Sequence, residues 1–115
     1  MANSVDYFEV ASPDPEGTKA FYRQMFDWQI GEPSPADYSM VNSTEGGVWD
    51  TSRTGGGNWA IFYVHVADVH QAVEKAQSLG ATVVLPITSN PAIEFAHLAD
   101  PQGNRFGVWR PRSEG

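Results

Sequence analysis

Glu9, His65, Glu94, His97 and Arg105 stand on stretches of this 115-residue chain that read as β-strands. Imidazole is the side chain suited to acid–base work near neutral pH, so His65 and His97 matter most if they approach each other. Taken singly, each reads more simply as a hydrogen-bonded structural histidine. His70 falls on the outer face of a helix and reads as solvated. Glu9 and Arg105 make a second pair, suited to an ion pair that holds the halves of the chain in register. A partly exposed pair adds only about 0–1 kcal/mol. A ligand carboxylate or phosphate engaging Arg105 is therefore the chemically richer reading. With no cysteine, disulfides, thiolate metal sites and a cysteine nucleophile are excluded. No Ser-His-Asp or metalloprotease pattern is legible, and Gly55-Gly56-Gly57 lacks the lysine and following helix of a phosphate loop.

Composition narrows the classes further. A formal charge of −7 opposes nucleic-acid binding, which needs a clustered basic face. Arg110 and Arg112, two positions apart in the tail, read as a solvated end. Four tryptophans in so short a chain must be buried or line a pocket. The first residues lack a basic region followed by an apolar run, and no apolar run reaches spanning length, so the expectation is a cytoplasmic protein with neither membrane nor nucleic acid as partner.

The elements that must position these residues fall into two similar series. Val5 to Val10 alternates as a half-buried strand, Phe8 and Val10 on one face and Tyr7 and Glu9 on the other. Asp14 caps a helix with Pro15 at its first position, running to about Phe26 with Tyr22 and Phe26 stacked one turn apart. Trp28-Gln29-Ile30, Tyr38 to Asn42 and Gly46 to Trp49 read as three strands. The polar, glycine-rich stretch 51–58 reads as a flexible connection, or more sharply as a lid. Then the order repeats. A strand runs from Trp59 to Val66, and Asp68 caps a helix with apolar stripe Val69, Ala72, Val73, Ala76 and Leu79, stopped by Gly80. Ala81 to Ile87, Ile93 to Ala99 and Asn104 to Trp109 supply three more strands. Asp100-Pro101-Gln102-Gly103 carries the residues of a type I turn. Gly47-Val48-Trp49 recurs as Gly107-Val108-Trp109.

The expected class is α+β, one domain over residues 1–115 built from two βαβββ modules. Module one spans 4–50, the linker 51–58 and module two 59–111, forming a curved mixed sheet with the helices on its convex face. Strand parity then turns Tyr7, Glu9, Trp49, Trp59, Ile61, Tyr63, His65, Arg105 and Trp109 toward the concave side, with His97 on a flanking strand and Gly47 and Gly107 leaving space in the same rows. An aromatic wall with a few polar groups suits a small-molecule pocket.

On Tyr7-Phe8-Glu9-Val10, Asp14-Pro15, Phe21-Tyr22, Phe26-Asp27-Trp28, Asp68-Val69, Leu79-Gly80-Ala81 and Asp100-Pro101-Gln102-Gly103-Asn104, the chain resembles the vicinal oxygen chelate superfamily, which includes glyoxalase I, bleomycin-resistance proteins, fosfomycin-resistance enzymes and extradiol dioxygenases. The resemblance implies a glyoxalase/bleomycin-resistance-like fold, and metal ligands on the first and last strands of each repeat. Those places hold Tyr7, Gly47, Ile61 and Gly107 here, a set without imidazole or carboxylate. The reading that follows is a metal-independent small-molecule binder with no cofactor, whose ligand meets Tyr7, Glu9, Trp49, Trp59, Ile61, Tyr63, His65, His97, Arg105 and Trp109. The resemblance also implies a homodimer. The alternatives are a lyase, isomerase or dioxygenase-like enzyme with a displaced divalent metal at His65, His97, Glu9 or Glu94, and a domain whose role is assembly.

Overall fold

Both helices start at their aspartates. In the computed structural model, which describes residues 3–112, the Asp14 carboxylate accepts from the Gly17 amide at 3.2 Å and Asp68 from the Gln71 amide at 3.0 Å. These side chains satisfy donors that the first helical turn leaves open. The elements are β1 (Ser4–Ser12), α1 (Pro15–Phe26), β2 (Tyr38–Val41), β3 (Gly46–Asp50), β4 (Trp59–His65), α2 (Val69–Ser78), β5 (Thr82–Ser89), β6 (Ile93–Ala99) and β7 (Arg105–Pro111). Among the described residues, two helices and seven strands, paired both parallel and antiparallel, make an α+β fold. Asp68→Ala is expected to cost about 1 kcal/mol and Asp68→Asn to cost much less, because asparagine still accepts at the cap. Urea midpoints of the two variants check this.

The chain forms two compact units, one of Tyr7–Ile61 and the other of residues 3–6 with 62–112. In the first, β3 pairs antiparallel with β2 and parallel with β1, in register Glu9↔Gly47 and Tyr38↔Trp49. Ile30, Val41 and Val48 form its core, with Phe8, Tyr22 and Trp28 packed against them. Trp28-Gln29-Ile30 is not a strand; Ile30 makes one isolated bridge to Val41. Beside it the Asn42 amide donates to the Gln29 carbonyl at 2.7 Å and the Gly31 amide to the Met40 carbonyl at 3.0 Å, and side chains take the remaining bonds. Asn42 Oδ1 accepts from the Gln29 amide at 2.9 Å, and Arg23 Nη2 donates to the Ile30 carbonyl at 2.7 Å. The stretch 51–58 is a series of turns around Thr51, which is fully buried. Its hydroxyl donates to the Gly57 carbonyl at 2.8 Å, and the Thr54 and Gly56 amides donate to its carbonyl. Gly55, Gly56 and Gly57 all take positive φ (95°, 76° and 116°), which glycine adopts without steric penalty.

In the second unit the strand order is β4-β7-β6-β5, parallel for β4–β7 and antiparallel for the rest. Val66, Val69, Val73, Ala96, Leu98 and Val108 make the core between α2 and the sheet. Leu79, expected in the helical stripe, lies past the last helical residue and is largely exposed. The Gly103 amide donates to the Asp100 carbonyl at 2.8 Å, closing the expected turn. Arg110 is not a solvated tail residue: its Nε lies 3.2 Å from Glu94 Oε1. Exposed as it is, His70 also reaches Glu94, with Nε2 at 3.4 Å from Oε2. Arg110 and His70 hold the Glu94 carboxyl below its usual value, although its own desolvation, the largest influence, opposes them.

Candidate functional site

A buried carboxylate centres the polar cluster of the Tyr7–Ile61 unit. Glu9, 3% exposed, faces away from the Phe8 side of β1. Its Oε1 accepts from the Tyr38 hydroxyl at 3.0 Å and its Oε2 from the Trp59 indole N–H at 2.8 Å. Both oxygens serve as acceptors, the pattern of an ionised carboxylate. The Tyr7 hydroxyl lies 2.9 Å from the Tyr38 hydroxyl and 3.6 Å from Met40 Sδ. Burial is the main cause that pushes the Tyr7 phenol up to about 12; the Glu9 charge adds to it, and the Tyr38 hydrogen bond opposes it. Trp49 meets Trp59 edge to face, ring centroids 5.7 Å apart at 73°. Ile61 is buried.

Gly47 does not leave space in this row. A Cβ there would lie 2.1 Å from the Tyr38 ring, which occupies the volume over the glycine. The second unit repeats the arrangement with Tyr63 over Gly107, where a Cβ would lie 2.6 Å from the ring. The two residues are register partners. Tyr63 Oη is 2.5 Å from His97 Nε2, and Arg105 Nη1 is 3.4 Å from His97 Nδ1. Arginine only donates, so Nδ1 accepts and the imidazole proton sits on Nε2, directed at Tyr63 Oη. Desolvation first, and the Arg105 cation second, push His97 down to about 4, so the ring is neutral at pH 7. His65 has different partners: its Nδ1 is 3.4 Å from Asp6 Oδ2 and its ring stacks on Trp109 at 4.9 Å. The Trp109 indole donates to the same aspartate at 3.0 Å.

These donors do not fit a divalent ion. Tyr7 is the single oxygen-bearing side chain of the four inherited places, and it is held as a neutral phenol. The volume over both glycines is filled by tyrosine rings. Among the described residues, no three of His, Asp and Glu come together as a metal-binding group. Glu94 shares its β6 face with the core residues Ala96 and Leu98, whereas His97 points the other way, so alternation along the strand separates those two proposed ligands.

A groove of about 730 Å³ opens between α1 and the end of β1, lined by Val10, Ala11, Pro13, Phe21, Tyr22 and Trp59 among others. Of the residues expected at the site, Trp59 is the one that lines it. Sequence reasoning missed Tyr38, Asp6 and Lys19. Tyr38 had a usable signal, an aromatic residue on the strand beside a strand glycine. Lys19 had less: the residue is 3% exposed on the opposite sheet face, its ammonium 3.2 Å from Ser39 Oγ and 3.0 Å from Glu16 Oε2.

The family model described as a glyoxalase-like domain matches residues 7–109. No curated protein sequence matches significantly. Among solved structures, the chain is similar to a variant of methylmalonyl-CoA epimerase from Streptomyces coelicolor in complex with 2-nitronate-propionyl-CoA, with TM-score 0.65, 14% identity, and coverage of 97% of this chain and 99% of that one. A glyoxalase/bleomycin resistance protein/dioxygenase superfamily member from Vibrio splendidus 12B01 aligns with TM-score 0.61 and 14% identity over 91% of this chain and 96% of its own. The NAD-dependent benzaldehyde dehydrogenase from Legionella pneumophila gives TM-score 0.65 and 16% identity over 92% and 98%. Identities this low carry the fold and no activity.

Proposed function

The chain belongs to the glyoxalase-like domain family, and from that premise we propose that it is a metal-independent small-molecule-binding protein. The observation that carries the reading is the pair of tyrosines, Tyr38 over Gly47 and Tyr63 over Gly107. Both last-strand positions that the family resemblance reserves for metal ligands are thereby closed to a coordinating side chain. The groove beside Trp59 has the volume of a small-molecule site and the mixed aromatic and aliphatic lining such sites use. The ligand's apolar part lies in that groove, against Trp59 and Tyr22.

Thermal unfolding with a library of aromatic and cationic compounds, before and after exhaustive chelation, tests this. A ligand at a hundred times its Kd is expected to stabilise the fold by about 2.7 kcal/mol, equally in chelated protein. A library with no stabilising member overturns the reading, as does stabilisation that chelation removes and a divalent ion restores.

A further inference from the structure

We infer that the groove beside α1 takes an uncharged aromatic amide, its ring against Phe21 and Tyr22 and its carbonyl and N–H against Ser12, Thr18 and Asn58. This rests on the small-molecule reading above and names the ligand class for the same groove. All of these residues belong to the Tyr7–Ile61 unit. Phe21 and Tyr22 meet edge to face, ring centroids 5.2 Å apart at 84°, and Phe21 is 60% exposed. A ring so exposed on a groove wall leaves apolar surface in water, and a flat ligand covers it. Ala11, Gly17 and Ala60 line the same groove with little or no side chain, which leaves room for that ligand.

The polar wall sets the head group. Ser12, 4% exposed, shares the β1 face of Phe8 and Val10. Its Oγ accepts from the Asp14 amide at 3.0 Å and no described residue accepts its proton, so the hydroxyl can donate to a ligand carbonyl. Thr18 and Asn58 also line the groove, and the side chain of neither bonds a described residue. The Asn58 carboxamide offers a donor and an acceptor together, which matches the C=O and N–H of an amide. Charged head groups fit less well. None of the described residues lining the groove is a lysine, arginine or histidine. The cations of α1 are engaged elsewhere, Lys19 with Ser39 and Glu16 and Arg23 with the Ile30 carbonyl. An anion would therefore shed water without a counter-charge. A cation would meet only Asp14, which is exposed and already caps the helix through the Gly17 amide, and an exposed ion pair gains little.

Benzamide, benzoate and benzamidine share one planar shape and differ in charge. Titrating each into the whole protein, with the backbone amides followed by NMR, separates charge from shape. Benzamide is expected to move the amide signals of Ser12, Thr18 and Phe21 and to bind about tenfold more tightly than either charged isostere. Thr18→Val keeps the shape of the side chain and removes its hydroxyl, and is expected to weaken benzamide several-fold. Benzoate or benzamidine binding wild-type protein as tightly as benzamide overturns the inference, as does benzamide that leaves those three signals unmoved, whether or not Thr18→Val folds. Library members that still stabilise the protein in that case leave the small-molecule reading standing; a library without any stabilising member removes both.

Discussion

Gly107→Ala is expected to destabilise the protein by about 3 kcal/mol, the upper part of the range for forcing extra atoms into a packed site. The new methyl would fall 2.6 Å from the Tyr63 ring, which is itself 5% exposed. The ring cannot swing aside cheaply, because its hydroxyl is held by His97 at 2.5 Å. Moving it would leave a buried imidazole without that partner. Gly47→Ala meets Tyr38 more closely still, at 2.1 Å, but Tyr38 is only half-buried and has solvent to yield into. Its cost is therefore expected to be the smaller of the two. Urea unfolding gives both values. A double variant, Gly107→Ala with Tyr63→Ala, should be no less stable than Tyr63→Ala alone, since removing the ring removes the clash. Full additivity would show that the ring does not sit over the glycine.

The second large effect is a dependence of stability on pH that comes from His97. Its value is about 4 in the folded protein against 6.5 ordinarily. Between those values the unfolded chain binds the proton and the folded chain does not. Stability therefore rises with pH across this window, and is lost as pH falls from 6.5 toward 4. The difference converts to about 3 kcal/mol. Carboxylates held below their ordinary values act in the same direction but at lower pH. Asp50 and Asp100 start from 3.8 and Glu94 from 4.5, so their contributions fade below those points. Urea midpoints measured from pH 4 to 7 in wild type and in His97→Gln, which keeps an amide near Tyr63, are expected to differ most in slope between pH 4 and 6.5. Parallel curves would show that His97 titrates normally.

How far the candidate site could be read in advance differs from residue to residue. Glu9, Trp49 and Trp59 follow from alternation along strands whose polarity is plain in the residues themselves, and they come together in the Tyr7–Ile61 unit. An approach of His65 to His97 was open in the sequence, with a hydrogen-bonded structural role the simpler reading of each; the structure describes each with partners of its own, Asp6 and Trp109 for one and Tyr63 and Arg105 for the other. Tyr38 was legible as a strand residue but not as the side chain that fills the row over Gly47. That depends on how the ring leans along the sheet, which strand spacing alone does not specify. Trp28-Gln29-Ile30 stops at one bridge because its pairing with Met40–Asn42 is limited to two backbone bonds, with the Asn42 and Arg23 side chains meeting the Gln29 amide and the Ile30 carbonyl.

The sequence by itself determined the class of elements, their caps and the repeated Gly-Val-Trp, because helix and strand periodicity and aspartate capping act over a few residues. It also shows that Tyr7, Gly47, Ile61 and Gly107, at the places where the family resemblance implies metal ligands, carry neither imidazole nor carboxylate. Tertiary structure decided what took the space over the two glycines, the neutral state of His97 and the burial of Glu9 among aromatic rings. Each of these depends on side chains brought together from strands far apart in the chain, and desolvation and steric exclusion have no value until that packing exists.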